Sequence, residues 1–380
     1  MRSLFCFLLT ILGFATSNAS TLDEQLQQII SKNNFPGFHY TVLDRSGINF
    51  QFNHGYQDIA GKSPVTADTM FMLNSSTKVF TAAAILQLVK MGKVNLDSPL
   101  TAYFKHHPYG TKISIRHLLN QTSGIANPLP LKWLHLKNEH ATYNENQTLQ
   151  HILNEHSELK FPPGKKYMYS NISYWLLGKV IENVSGISYC QYLQEFVFKP
   201  LMINRDELSC DMPDETHFAK GYQEKYTFLT TFFYLAGASP FFAEPEGIFS
   251  SFKPVYHNGP AYGGLYGSGH GVAKFLNDLL ATRPQVFDKQ IRHLFFEEQV
   301  NHSGKPIAMT LGWRTGELNG IKFYEKPGGG PGSHCNIRIY PQKNIATVYF
   351  VNNTAIQEKS ISALSNKMDW LYFQSRATHE

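Results

Sequence analysis

The sequence predicts an α+β fold: one antiparallel sheet assembled from both chain ends, with flanking helices and a mostly helical domain inserted between its halves. Alternating apolar and polar runs near each terminus give the strands, and periodic helices lie outside them at both ends. The long middle of the chain has helical spacing broken by Pro/Gly-rich joints, which gives the insertion.

The elements follow in order. "TLDEQLQQIISKNNFPG" places Leu22, Leu26, Ile29 and Ile30 on one helical stripe and stops at Pro-Gly. "FHYTVLDRSGINFQFNHG" reads as a hairpin of two alternating runs around Arg45-Ser46-Gly47. At the other end "IKFYEKPG", "SHCNIRIYP" and "IATVYFVNN" read as three consecutive strands, followed by a helix near 355–375. The sheet domain is thus assigned to 20–100 and 305–380. The helical domain takes 101–304, with "IRHLLNQTSGI", "LQHILNEH", "SYWLLGKVIENVSG", "YCQYLQEFVF" and "GVAKFLNDLLAT" as its helices. Within it the aromatic-rich stretch 226–252 is too interrupted by Pro, Gly and charge to span a membrane. It reads either as core plus loop or as an apolar lid that meets a greasy substrate or lipid.

Composition narrows the class. Arg2 followed by the apolar run Leu4–Ala15 and small residues to Ala19 reads as a secretory signal cleaved near Ala19, so a periplasmic or secreted location is expected. Cys6 lies too early in that run to be a lipid-modified cysteine. The formal charge of +5 falls to +4 without Arg2, and no Lys/Arg cluster accompanies it, which excludes nucleic acid as the expected partner. Of the remaining cysteines, Cys190 and Cys210 form the shorter-loop candidate for a disulfide, with three free thiols as the alternative, and Cys335 is left over. Asn-x-Ser/Thr sequons are numerous, including Asn74, Asn120, Asn146, Asn171, Asn183 and Asn301; Asn74 and Asn171 fall inside the motifs below, where a glycan would block access.

Three short motifs carry chemistry. Ser75-Ser76-Thr77-Lys78 opens the helix-forming run "VFTAAAILQLVKMG", so a hydroxyl and an amine share a helix face at i and i+3 beside a positive helix end. Ser157-x-x-Lys160 and Ser250-x-x-Lys253 match the spacing too, but each runs into proline and opens no helix. Tyr169-Ser170-Asn171 stands just before a helix and can present a phenol and a carboxamide on one turn; the phenol can shuttle protons if nearby lysines lower its pKa. Tyr256-x-Asn258 fits the bare pattern without a following helix. Lys326-Pro327-Gly328 leads into glycines at a strand, where a substrate can lie against the edge, receive an oxyanion N–H, and offer a carboxylate to the lysine. Lys90-x-Gly92 matches as well but ends a helix. His135-x-x-x-Glu139-His140 is one residue too long for an inverted zinc motif, and no metal or cofactor is expected. His334 and Cys335, just past the glycines, are placed near the cleft.

In order and context these motifs resemble the serine β-lactamase-related hydrolases: class C β-lactamases, DD-peptidases, esterases and D-amino-acid amidases. "ISIRHLLNQTSGI", "PPGKKYMYSNISYWLLG", "AKGY", "YGGLYGSGHGVAKF" and "LGW" extend the likeness from about residue 21 to the end. The resemblance implies a β-lactamase/transpeptidase-like fold with the site in the cleft between the domains. It also implies a serine hydrolase working through an acyl-enzyme on a D-amino-acid peptide, carboxylic ester or β-lactam-like substrate, possible sources including the cell wall. Carried over, Ser75 is the nucleophile, Lys78 and Tyr169 the proton network, and Asn171, Lys326 and Gly328 the substrate contacts; the backbone N–H groups of Ser75 and Gly329 form the oxyanion hole. Pro327 departs from the family's third motif, which usually carries Thr or Ser there, and this disfavours efficient β-lactam hydrolysis. The competing readings are a catalytically silent envelope ligand-binding protein and a true class C β-lactamase.

Overall fold

The computed structural model describes residues 20–128, 133–355 and 357–377. The segment 1–19 read as a secretory signal, with Cys6, lies outside the described residues.

A seven-stranded, wholly antiparallel sheet organises the molecule. Its order across is Arg314–Leu318, Ile321–Gly330, Ser333–Tyr340, Ile345–Val351, Gly37–Asp44, Gly47–Asp58 and Ser63–Pro64. The two chain ends meet where Phe38 faces Val351 and Thr41 faces Val348, so the sheet cannot close until both termini are present. The hairpin at Arg45-Ser46 forms as read, with the Asp44 carboxylate accepting from the Ser46 N–H at 2.7 Å. Sequence reading missed the edge strand Arg314–Leu318, a short run with only Leu318 buried.

Helices Leu22–Lys32 and Glu358–Ala377 cover one face. Thr21 caps the first through a reciprocal bond with Glu24. Leu26, Ile29 and Ile30 then bury against Phe38, Tyr40, Val42, Tyr349, Val351, Ile361 and Met368. Helix Gly269–Leu280, from the segment read as helical insertion, packs on the opposite face of strands Gly37–Asp44 and Ile345–Val351. Helix Lys78–Lys90 is buried on nearly all sides against helices Asn171–Ser185 and Lys289–Phe296. A helix apolar all round belongs in a core, and this explains the run of alanines, which let its neighbours approach.

Cys190 and Cys210 are joined in a disulfide, as the shorter-loop pairing anticipated. The aromatic stretch divides: Phe233, Phe242, Phe249 and Phe252 bury, within helix Phe228–Leu235 and strands Phe242–Glu246 and Phe249–Phe252. Tyr226, Phe228, Tyr234, Leu235 and Ile248 stand in solvent. Among the described residues, no helix is long and apolar enough to cross a membrane.

Candidate active site

Ser75 lies in a single 3-10 turn, Asn74–Thr77, that runs straight into helix Lys78–Lys90. The sequence suggested a first α-helical turn; the tighter turn serves the chemistry better, because residues i and i+3 eclipse in a 3-10 helix. The Lys78 ammonium nitrogen accordingly sits 3.3 Å from the Ser75 hydroxyl.

The second motif arrives from the far side. Ser170 is the N-cap of helix Asn171–Ser185, and its hydroxyl accepts from the Ser173 N–H. This turn projects Tyr169 so that its phenol oxygen lies 2.6 Å from Ser75 Oγ. Gln121, unremarked in the sequence, clamps the turn: its amide oxygen accepts from Ser170 N–H at 2.7 Å and its Nε2 donates to the Ser170 carbonyl at 3.2 Å. Gln121 itself holds the left-handed conformation (φ 61°).

The third motif forms the wall. Pairing between Ile321–Gly330 and the edge strand ends at Arg314 opposite Glu325, so the outer edge from Lys326 to Gly330 faces the Ser75 turn. A Cβ on Gly328 would stand 2.1 Å from the Leu73 carbonyl and 2.8 Å from Ser76 N, so only glycine lets the strand come this close. Ser76, unremarked in the sequence, locks the approach by donating to the Lys326 carbonyl at 2.6 Å. Lys326 Nζ stacks 4.9 Å from the centre of the Tyr169 ring, as does Lys78 Nζ.

Burial and hydrogen bonding set the titration of this centre. Lys78 is fully buried, and its Nζ donates to Asn171 Oδ1 and to the Tyr262 carbonyl, each at 2.7 Å. Both partners are oxygens that can only accept. Burial, and then the positive charge of Lys326, hold the Lys78 pKa well below its usual value, with Glu358 opposing. With Asn171 and the Tyr262 carbonyl each taking an N–H, the third position of the amine faces Ser75 Oγ. Tyr169 moves the other way: burial, then the negative charge of Glu358, push its pKa well above 10, against the bond from Ser75. The expectation that lysines would lower the phenol's pKa is therefore corrected, since desolvation outweighs them and Tyr169 is a neutral phenol at rest.

The remaining candidates fall as follows. Cys335 is buried behind the Ser75 turn, where its thiol meets the Leu73 carbonyl and Ser76 Oγ and burial pushes its pKa up to about 12. His334 points to the other side of the sheet and bonds the Asn353 carbonyl. Neither lines the cleft, because neighbouring residues of a strand alternate faces and both faces here are covered. His135 and His140 bond each other at 2.8 Å and stack with Tyr143 and Tyr256. Asn74 and Asn171, the sequons inside the motifs, are buried.

Known proteins resemble the chain in sequence and in fold. The family model described as Beta-lactamase matches residues 22–363. The chain is similar to Protein flp of Staphylococcus aureus (strain MW2), 29% identical over 232 residues that cover 59% of this chain and 43% of that protein. It is also similar to Penicillin-binding protein 4* of Bacillus subtilis (strain 168), 32% identical over 193 residues covering 49% and 42%. The matches thus span less than half the length of these curated relatives. Among solved structures, the D-amino acid amidase of Ochrobactrum anthropi SV3 superposes with a TM-score of 0.77 at 19% identity, covering 94% of this chain and 100% of that one. The octameric penicillin-binding protein homologue of Pyrococcus abyssi gives 0.72 at 21%, covering 90% and 76%. A class C β-lactamase gives 0.70 at 16%, covering 91% and 94%. With its sheet, its inserted helices and a family match across nearly all of its length, the chain belongs to the β-lactamase family of serine hydrolases.

Proposed function

We propose that the protein is a serine hydrolase that forms an acyl-enzyme on Ser75 and acts on an ester or amide. The observation that carries this reading is the convergence of Tyr169 and Lys78 on the Ser75 hydroxyl, at 2.6 and 3.3 Å. Ser75 Oγ attacks the substrate carbonyl carbon while its proton passes to the neutral Lys78 amine. The new ammonium keeps its bonds to Asn171 and the Tyr262 carbonyl, so no group moves to receive the charge. Tyr169 hands its proton to the departing nitrogen or oxygen and takes one back from Lys78. Water then repeats the cycle on the acyl ester. The backbone N–H groups of Ser75 and Gly329 are the proposed oxyanion donors, each worth about 3 kcal/mol of transition-state stabilisation. Asn171, whose oxygen holds Lys78, turns its amide nitrogen to the substrate.

Pro327 tilts the reading toward esters and open-chain amides over β-lactams: it offers neither a hydroxyl nor an N–H where a β-lactam carboxylate would be held. We place the protein outside the cytosol, in the periplasm or secreted, on the strength of the Cys190–Cys210 disulfide and the N-terminal sequence. The exposed Tyr226, Phe228, Tyr234, Leu235 and Ile248 support a lipid or membrane-surface contact through 226–252. Co-sedimentation with vesicles checks it: loss of binding on replacing Phe228 and Leu235 by Ser is expected, and no binding by the parent protein refutes it.

The decisive test is intact mass after incubation with a fluorescent penicillin and, separately, an activated ester, beside Ser75→Ala. An adduct or turnover that requires Ser75 is expected. A protein inert to both probes, or one that reacts equally without Ser75, removes the proposal and leaves a binding protein.

A further inference from the structure

The sequence suggests that Lys326 attracts a substrate carboxylate. The surroundings of its amine argue otherwise. Glu358 is the first residue of the C-terminal helix, and its carboxylate reaches back over the sheet edge: Oε1 lies 3.7 Å from Lys326 Nζ, and Oε2 accepts from Arg314 Nη1 at 3.1 Å. Behind them Arg314 approaches Glu325 at 3.7 Å, and buried Arg338 bridges Glu325 and Asp369 at 2.7 and 3.1 Å. Three cations therefore meet three carboxylates in one connected cluster, and Lys326 brings no unmatched charge to the cleft. The Glu358 carboxylate is one-third exposed while Lys326 is almost wholly buried, so the charge an incoming anion meets first is negative.

We propose that Glu358 is a specificity-determining residue: it occupies Lys326 from within the chain and restricts the site to esters and amides that carry no carboxylate beside the scissile bond. This rests on the reading of Ser75 as the acylated nucleophile. A carboxylate on the leaving group would have to displace Glu358 from Lys326 or lie against it, and like charges so juxtaposed in a partly desolvated cleft are strongly unfavourable. Pro327 acts in the same direction, since it supplies no hydroxyl to help hold an anion there. The two features are independent, one at the strand and one at the helix that crosses it.

The test is a pair of esters with the same acyl group, 4-nitrophenyl butyrate and its 3-carboxy analogue, assayed with the parent protein, Glu358→Gln and Glu358→Asp. The parent favours the uncharged ester, and Glu358→Gln shifts the ratio of kcat/KM toward the carboxylate ester by about tenfold or more, mainly through KM. Glu358→Asp, which keeps the charge, stays near the parent ratio. A ratio unmoved in folded Glu358→Gln overturns the proposal. Should neither ester show Ser75-dependent turnover, the hydrolase reading is what fails, and Glu358 is judged by calorimetric binding of benzoate. Benzoate bound about tenfold more tightly by Glu358→Gln upholds the charge-matching role, and equal affinity overturns it.

Discussion

Replacing Gly328 by Ala adds one carbon at the closest approach between the lysine strand and the nucleophile turn. That carbon would lie 2.1 Å from the Leu73 carbonyl oxygen and 2.8 Å from both Ser76 N and Ser76 Oγ. Two of the three obstacles are backbone, so no rotamer change relieves them. Reaching ordinary contact with Leu73 requires the strand and the turn to part by about 1 Å. The Ser76 hydroxyl bond to the Lys326 carbonyl, 2.6 Å in the native protein, would then open to beyond hydrogen-bonding distance. Stability should fall by about 1–3 kcal/mol from overpacking. Activity should fall further, because a shift of about 1 Å between nucleophile and oxyanion donor costs about 100-fold. The assay is kcat/KM on an activated ester, with thermal unfolding to show that the variant remains folded at the assay temperature. A folded Gly328→Ala protein with parent kcat/KM would refute the claim that this contact sets the site's geometry.

Three further outcomes follow from the same geometry. Because burial lowers the Lys78 pKa, the acylation rate should rise with pH through that lowered value and then level, and Lys78→Met should cost about 100- to 10,000-fold and abolish the rise, as single-turnover rates against pH would show. Reduction of the Cys190–Cys210 bond, which closes a loop with a sequence separation of 20, should destabilise the fold by about 3 kcal/mol, read as the shift in denaturant midpoint with and without reductant; an unshifted midpoint is the contrary result. Arg338→Met leaves Glu325 and Asp369 buried without their shared cation and should cost about 3–5 kcal/mol in urea unfolding, a loss that vanishes if the two carboxylates are already neutral.

Periodicity made much of the frame legible. Alternation showed the hairpin and the three C-terminal strands, and the stripe of Leu26, Ile29 and Ile30 showed a helix with one covered face. The edge strand Arg314–Leu318 escaped because an outer strand with one paired edge and little burial needs no apolar alternation. At the site, Ser75, Lys78, Tyr169 and Lys326 were legible because reactive groups at fixed spacing form a pattern. What they do to one another was not. The direction of the Tyr169 shift depends on how completely the ring is buried, and the orientation of the Lys78 amine depends on the Tyr262 carbonyl, a backbone atom no motif names. Glu358 was illegible for another reason: it lies 32 positions beyond Lys326 on the opposite side of the sheet's return, and only the crossing of the C-terminal helix brings the two charges together.

The stretch Asn74-Ser75-Ser76-Thr77 has a logic that the reactive pair alone does not explain. Each residue around Ser75 spends its polar group inward. Asn74 takes the left-handed conformation, φ 47°, which asparagine tolerates better than most residues, and its amide donates to Ser333 while its oxygen meets His257. Ser76 ties the turn to Lys326, and Thr77 Oγ1 accepts from the Leu265 N–H. The turn is thus fixed to the third-motif strand and its following neighbour and to the segment leading into helix Gly269–Leu280, two regions of the chain far apart in sequence. Ser75 is the one member whose hydroxyl points into the cleft, and it stays half-exposed while its neighbours are buried. Small polar side chains are required here because each must be short enough to bond a neighbouring backbone without prising the layers apart, and apolar replacements would leave buried carbonyl and N–H groups unmatched. The same anchoring that makes the turn rigid also holds Ser75 Oγ between Tyr169 and Lys78 before any substrate arrives, so the reorganisation that the proposed acylation would otherwise need is completed when the protein folds.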